Sequence, residues 1–281
     1  MTFAQQQILA QQQESCPGSE SEKIAQPKAD DLKVQGSGKL CNKVALITGG
    51  DSGIGRAVAI AFAKEGADVA IVSRNERDEA EKTKQMVEQQ GRSCLTLAGN
   101  VCDEEFCEQA VQQTINQFGK LDVLVNNAIE QDAQESVKDI SAEQLESNLQ
   151  TNLCPMFYMT NAALPYLPEG STIINTTSVT AYKGNEQLPD SSANRGAIMT
   201  FTRSLSQSLE DKGIRVNGVA PGPVWTLLVP STVAADKVEE FGKQVPRGDH
   251  LPEDIAPSFV FLASDEASYM AGQIVFTGSM F

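Results

Sequence analysis

The chain has 281 residues, which is enough to bury a large core without disulfides. Acidic residues outnumber basic ones by 37 to 22, and no stretch is rich in Lys and Arg, so the composition indicates neither a nucleic-acid surface nor a membrane-binding one. One histidine, His250, and six cysteines without a CxxC pair argue against a zinc or other metal site and against a Ser-His-Asp hydrolase.

No apolar run approaches the ~20 residues that a membrane helix needs. The N-terminus lacks the basic region and the apolar stretch of a secretory signal. We therefore expect a soluble, cytoplasmic protein whose thiols are reduced.

Residues 1–40 differ in composition from the rest of the chain. They are rich in glutamine and serine and contain a Pro-Gly pair and a Gly-Ser-Gly segment. This composition indicates an extended or partly disordered arm, and a packed arm that crosses a neighbouring subunit is the alternative. Residues 41–281 are expected to form one domain.

From residue 43 onwards, short apolar runs alternate with amphipathic stretches. The runs are rich in β-branched residues and predict strands over 44–48, 68–73, 93–99, 121–126, 171–176, 214–219 and 273–277. The stretches between them predict helices over 76–90, 103–118, 142–167 and 193–211. This alternation predicts an α/β fold with a single Rossmann-type, doubly wound parallel sheet flanked by helices.

A glycine-rich turn follows the first predicted strand and opens a helix that is expected to begin near Arg56. Glycines here allow a sharp turn and a close approach of the backbone to a pyrophosphate, and the helix N-terminus offers N–H groups to the phosphates. The turn and its βαβ context predict a dinucleotide site made by Gly49, Asp51, Ser52, Gly53, Ile54 and Gly55.

The end of the second predicted strand bears on the choice of cofactor. An enzyme that prefers NAD(H) usually carries an acidic residue there for the ribose 2′-hydroxyl. This chain has Ser73 and Arg74 instead, and Arg74 can pair with a 2′-phosphate. We therefore expect NADP(H) to be preferred over NAD(H), although an ordinary surface arginine is the alternative.

These residues and several further motifs resemble the short-chain dehydrogenase/reductase family over residues 40–281. Residues 48–55 are similar to its TGxxxGIG motif, and 126–128 to its NNAG motif, with Ile129 in place of the glycine. Asn152, Ser178 and the segment 221–226 match the family's structural asparagine, catalytic serine and PG motif. The arm adds a resemblance to a subgroup with an extended N-terminus.

The resemblance implies roles for the matched residues. A substrate loop is implied over 223–248, and a small-molecule substrate and a homo-oligomer, either tetramer or dimer, are implied as partners. Beyond the glycine-rich turn, Ser73 and Arg74, the implied cofactor contacts are Asn100, Val101, Asn127, Ala128, Arg195, Pro221, Gly222, Val224 and Thr226.

The same resemblance implies a broken proton relay. The family's catalytic tyrosine and the lysine four residues later are matched here by Ser191 and Arg195. A serine hydroxyl is a much weaker acid than a phenol, and the serine side chain is too short to bring it within hydrogen-bond distance of a substrate in the tyrosine's place. Ser178, Asn152, Ser191 and Arg195 thus remain as the candidate catalytic set, with Tyr182 or a water held by Ser191 as other proton donors.

Two functions follow from these residues. One is an oxidoreductase that acts on small carbonyl or alcohol substrates through a weakened or rerouted proton relay. The other is a catalytically silent NADP(H)-binding protein with a regulatory role or a role as a partner subunit. The intact Ser178 and Asn152 favour the first function, and Ser191 and Arg195 favour the second.

Overall fold

The computed structural model of the chain describes residues 35–74, 77–130, 137–224 and 251–278. In these ranges one parallel seven-stranded sheet has the order β3-β2-β1-β4-β5-β6-β7. Both faces are covered by helices, so the predicted fold class is confirmed. The strands are β1 (Val44–Thr48), β2 (Asp68–Ser73), β3 (Cys94–Ala98), β4 (Val123–Asn126), β5 (Thr172–Thr176), β6 (Arg215–Pro221) and β7 (Ile274–Thr277).

Eight α-helices lie in the described ranges. Two apolar cores, one on each face of the sheet, hold the helices in place, as the uniformly buried residues of β1 require. The helices are α1 (Gly53–Lys64), α2 (Arg77–Glu88), α3 (Glu104–Phe118), α4 (Ala142–Asn152), α5 (Cys154–Ala163), α6 (Thr180–Lys183), α7 (Pro189–Leu209) and α8 (Pro252–Ala263).

The structure corrects several predicted boundaries. Helix α1 begins at Gly53 rather than near Arg56, because Ser52 is extended and acts as the N-cap. The helix predicted over 142–167 is broken between α4 and α5, where Pro155 in the first turn of α5 cannot continue the preceding hydrogen-bond ladder. The segment that contains Tyr182 lies between the predicted elements and forms the short helix α6.

Helix α7 starts at Pro189, four residues earlier than the predicted start at Ala193. A proline is well placed in a first helical turn, since its nitrogen needs no hydrogen-bond partner there. The earlier start brings Ser191 into the helix, one turn before Arg195. The two residues therefore lie on the same side of α7.

The arm predicted for 1–40 lies almost wholly outside the described residues, and the division of the chain at residue 40 stays a prediction. In the ranges that the structure covers, no helix is long and apolar enough to cross a membrane. The same ranges hold no group of three or more His, Cys, Asp or Glu side chains arranged to hold a metal ion.

Candidate functional site

The sheet order places a crevice at the carboxyl end of β1. This strand has β2 on one side and β4 on the other, so the chain proceeds from it in opposite directions. Ligands of open α/β sheets bind at such a switch point. The glycine-rich turn follows β1 directly and therefore lies in this crevice.

The start of α1 is open to an anionic group. Ser52 makes no side-chain cap hydrogen bond, and the first turn of α1 carries no acidic residue. By contrast, Asp103 and Ser141 accept backbone N–H groups at the starts of α3 and α4. The unpaired N–H groups and the positive end of the α1 dipole are thus available to a phosphate.

Three glycines of the turn have no room for a side chain. A Cβ on Gly55 would lie 1.9 Å from the carbonyl oxygen of Gly49, and one on Gly50 would lie 2.6 Å from the Ile71 side chain. Gly49 has a φ of 63°, which disfavours other residues. These positions therefore fix both the shape of the turn and the close packing of α1 on the sheet.

Asn127 and Thr48 brace the turn from below. The Asn127 amide donates to the carbonyl oxygens of Thr48 and Gly49, each at 3.2 Å, and accepts from the Thr176 hydroxyl at 3.2 Å. The Thr48 hydroxyl accepts the backbone N–H groups of Asn127 and Ala128 at 2.8 and 3.0 Å. Asn127 thus joins β1, β4 and β5 next to the glycine-rich turn.

Sequence reasoning missed a buried ion pair that holds the other side of the turn. Arg56 is 5% exposed and pairs with Glu79 of α2, which is 3% exposed, at 2.7 Å. Arg56 also donates to the Thr83 hydroxyl at 2.9 Å and to the carbonyl oxygen of Asp51. The carbonyl of Asp51 is thereby held by residues of two helices. The 23-residue separation of Arg56 and Glu79 explains why no local sequence pattern revealed their ion pair.

At the ends of β2 and β4 the structure pairs two residues that the sequence did not connect. Arg74, predicted to receive a 2′-phosphate, forms an ion pair with Glu130. The Glu130 backbone N–H in turn donates to the Asn152 side chain at 3.0 Å. Ser73, just before Arg74, is buried, with 4% of its surface exposed.

Two of the predicted cofactor contacts, Asn100 and Val101, lie beyond β3. Asn100 is exposed, and its amide oxygen already accepts the backbone N–H of Cys102 at 3.0 Å. The Val101 carbonyl accepts from the Cys107 thiol at 3.3 Å. Burial raises the pKa of Cys107 to about 12, so this thiol is protonated at neutral pH.

A buried polar network joins Asn152 to α7. The Asn152 amide donates to the Asn148 side chain at 3.0 Å, and Asn148 donates to Asp190 at 2.9 Å. Asn148 also accepts from Asn194, and Asp190 accepts the backbone N–H of Ser191 at 2.7 Å. The network fixes α4 and α7 beside the candidate catalytic residues and was not predicted from the sequence.

Ser178, Ser191 and Arg195 lie at the carboxyl end of β5 and on the adjoining helix α7. The Ser178 hydroxyl accepts the backbone N–H of Thr180 at 3.2 Å. Ser191 is 4% exposed and Arg195 is 3% exposed. The guanidinium Nη1 of Arg195 is buried and has no hydrogen-bond partner in the described part of the chain, and burial lowers the pKa of Arg195 to about 10.

The end of β6 and the residues that follow it are tied to neighbouring elements. The Pro221 carbonyl accepts from Val179 at 3.0 Å, and the Gly222 N–H donates to Thr277 at 2.8 Å. Val224 is buried. Thr226 and almost all of the substrate loop predicted over 223–248 lie outside the described residues.

Tyr182 is the other proton donor that the sequence suggests. It lies on α6, is 64% exposed, and its ring contacts that of Phe276 edge-on at 5.8 Å between centroids. This ring contact is a packing contact on the surface of the protein.

Comparison with known proteins identifies the family. The profile described as enoyl-(acyl carrier protein) reductase matches residues 49–278. The chain is 55% identical over 266 residues to the uncharacterized oxidoreductase YhdF of Bacillus subtilis, across 94% of this chain and 92% of that protein. The chain belongs to the short-chain dehydrogenase/reductase family.

Two further relatives of this short-chain dehydrogenase/reductase have informative names. NADPH-dependent aldehyde reductase 1, chloroplastic, of Arabidopsis thaliana is 44% identical over 273 residues, across 94% of this chain and 95% of that protein. A crystal structure of a short chain dehydrogenase from Burkholderia cenocepacia in complex with NADP has a TM-score of 0.79 and 27% identity, across 85% of this chain and 98% of that one. Family membership thus supports an oxidoreductase scaffold, and the roles of individual site residues stay predictions.

Proposed function

We propose that the chain is an NADP(H)-binding oxidoreductase of small carbonyl or alcohol substrates whose usual tyrosine and lysine relay is replaced by Ser191 and Arg195. The observation that carries the cofactor assignment is the uncapped start of α1 behind a glycine turn at the β1 switch point. An NADP complex of a structural relative and the NADPH dependence in the name of the Arabidopsis relative support it.

The site residues fit a nicotinamide dinucleotide. The start of α1 would take the pyrophosphate, Arg74 the 2′-phosphate, and Asn100 and Val101 the adenine. Buried Arg195 has an unpartnered Nη1 that suits the hydroxyl oxygens of the nicotinamide ribose. The bound cofactor would supply hydride, and Ser178 would polarise the substrate carbonyl.

The proton step is the weak point of this site. Asn152 and Ser178 are present, but Ser191 offers only a short, weakly acidic hydroxyl. Arg195 carries a fixed charge and does not act as a proton carrier near neutral pH. The remaining proton sources are Tyr182 and a water held by Ser191, and we expect slow turnover.

A second function rests on the same two residues. With Ser191 and Arg195 in place, the chain binds NADP(H) as a catalytically silent regulator or partner subunit. Cofactor binding without turnover on any of a broad panel of aldehydes and ketones would favour this second function. Turnover that survives replacement of Tyr182 by Phe would favour the water-mediated route.

We also propose that the protein is a cytoplasmic homo-oligomer, a dimer or a tetramer. Phe157 of α5 is 43% exposed, and its ring lies 4.2 Å from that of Phe201 of α7, which makes an apolar patch on these helices. Light scattering of the wild type and of Phe157→Glu tests this. A wild-type monomer would contradict it.

The direct test of the proposed function is titration with NADPH and NADH by fluorescence, with NADPH oxidation followed in the same samples. The proposal expects tighter binding of NADPH and slow oxidation. Absence of binding by both nucleotides would contradict it.

A further inference from the structure

An ion pair spans the crevice that a dinucleotide must enter. Arg74 directly follows β2, and Glu130 lies four residues after β4. Both strands pair with β1, one on each side, and neighbouring strands are about 4.8 Å apart. The pair therefore passes over the carboxyl end of β1, where the glycine-rich turn begins.

The two partners are held differently. The Glu130 backbone is fixed, because its N–H donates to the side chain of buried Asn152 at 3.0 Å. Asn152 is itself held by Asn148. The Glu130 side chain is 33% exposed, whereas that of Arg74 is 59% exposed. The carboxylate is thus carried on a fixed backbone, and the guanidinium is the more accessible partner.

In this arrangement the Glu130 carboxylate and a cofactor 2′-phosphate would compete for the Arg74 guanidinium. A 2′-phosphate at Arg74 would meet the Glu130 carboxylate, which already occupies the guanidinium and repels the phosphate. A ribose 2′-hydroxyl is neutral and can donate a hydrogen bond to a carboxylate. Glu130 therefore disfavours NADP(H) and not NAD(H).

We propose that Glu130 is a specificity-determining residue, which competes with the cofactor 2′-phosphate for Arg74. The inference rests on the proposed NADP(H) binding and adds to it. The preference for NADP(H) over NAD(H) is then smaller than Arg74 alone would give. Removing the Glu130 carboxylate increases this preference.

The expected size of the effect follows from the small free energy that exposed ion pairs contribute. We therefore expect Glu130→Gln to tighten NADPH binding about two- to fivefold and to leave NADH binding within about twofold. The gain should shrink at ~1 M salt, where the Debye length is about 3 Å. Glutamine keeps the shape and the backbone N–H of residue 130.

The experiment measures dissociation constants of NADPH, NADH, 2′,5′-ADP and 5′-AMP by calorimetry, so that no turnover is needed. The variants are wild type, Glu130→Gln, Arg74→Ala and the double variant. Glu266→Gln is the matched control, because it breaks the exposed Lys39–Glu266 pair, and Lys39 precedes β1 at the opposite edge of the sheet.

The competition predicts that Glu130→Gln tightens NADPH and 2′,5′-ADP only, and that this gain disappears in the Arg74→Ala background. If the wild type binds NADPH but Glu130→Gln leaves the ratio of the NADPH and NADH dissociation constants unchanged, the inference fails and the proposed function stands. A gain in NADPH affinity that persists without Arg74 would likewise overturn the inference. If neither the wild type nor Glu130→Gln binds a dinucleotide, the proposed function and the inference both fail.

Discussion

Ser191 and Arg195 lie one turn apart on α7, both almost fully buried, yet no hydrogen bond joins their side chains. The buried Nη1 of Arg195 has no partner in the described ranges, and burial lowers the pKa of its guanidinium. A buried guanidinium nitrogen without a hydrogen-bond partner costs free energy. A ligand with hydroxyl or anionic oxygens would relieve that cost.

Two buried arginines should respond to substitution in opposite directions. Arg195 has an unpartnered Nη1, whereas Arg56 pairs with Glu79 at 2.7 Å. We expect Arg195→Met to raise the free energy of unfolding of the cofactor-free protein by about 1–3 kcal/mol, and Arg56→Met to lower it by about 3–5 kcal/mol. Urea unfolding without nucleotide measures both. A loss of similar size in the two variants would contradict the interpretation of Arg195.

Restoring the proton relay should raise turnover. A tyrosine at 191 and a lysine at 195 would supply an acidic hydroxyl with longer reach and a tuning charge one turn away. We expect Ser191→Tyr with Arg195→Lys to increase NADPH oxidation by about 10²–10⁴-fold on a substrate that the pocket admits. Ser191→Phe with Arg195→Lys is the control, since it adds the ring without the hydroxyl. A double variant that binds NADPH but stays inert would show further damage to the site.

The charge of residue 74 should control the choice of nucleotide. Arg74→Asp removes the proposed partner of the 2′-phosphate and places a second carboxylate near Glu130. Because hydrogen bonds to charged groups contribute about 1.5–3 kcal/mol, we expect NADPH binding to weaken about tenfold or more, with little change for NADH. Lys39→Asp, at the opposite edge of the sheet, is the control. Equal losses for both nucleotides would contradict the assignment.

Two helical glycines provide a matched test of the turn. A Cβ on Gly55 would meet the Gly49 carbonyl oxygen, whereas a Cβ on Gly196 meets nothing within 4 Å. We expect Gly55→Ala to abolish NADPH binding. Gly196→Ala should retain binding and gain about 0.5–1 kcal/mol of stability. Circular dichroism checks the fold of each variant, and undiminished binding by Gly55→Ala would place the nucleotide elsewhere.

Glu65, the C-cap of α1, should make the free energy of unfolding depend on pH in the acidic range. Burial alone would raise its pKa, but hydrogen bonds from the backbone of Lys39 and from the backbone and hydroxyl of Ser37 outweigh burial and lower the pKa below 4.5. The stabilisation is therefore complete above pH 4.5 and is lost as the pH falls through the lower, folded-state pKa.

We expect Glu65→Gln to lower the free energy of unfolding by about 1–3 kcal/mol at neutral pH, and the difference from wild type to shrink in acid. Unfolding curves at a series of pH values measure this. Glu146→Gln, on an exposed position of α4, is the control. A difference that grows as the pH falls would contradict the sign.

The fold and the glycine turn could be predicted because their signals are local. The run Val44–Thr48 is rich in apolar and β-branched residues, and all five residues are buried, as expected of a strand covered on both faces of the sheet. The turn combines glycines, a strand and a helix within a few residues. Errors arose where one residue decides a boundary, such as Pro155, which divides α4 from α5.

The contacts that position the site could not be predicted in this way. Arg74 and Glu130 are 56 residues apart, and Asn148 and Asp190 are 42 apart. Nothing in the composition around these residues indicates their partners. They meet because β2 and β4 both adjoin β1 and because α4 packs beside α7, which are properties of the folded chain.

We propose that the chain binds NADP(H) at the glycine-rich turn while proton transfer at Ser191 is impaired. The most direct measurement is fluorescence titration of the wild type with NADPH, with NADPH oxidation followed in the same cuvette on a panel of aldehydes and ketones. We expect saturable binding with turnover below about 0.1 s⁻¹, because a typical enzyme turns over at ~10 s⁻¹ and loss of general-acid catalysis lowers this rate by about 10²-fold or more. Absence of NADPH binding, or turnover at the rate of an ordinary tyrosine-dependent reductase, would contradict it.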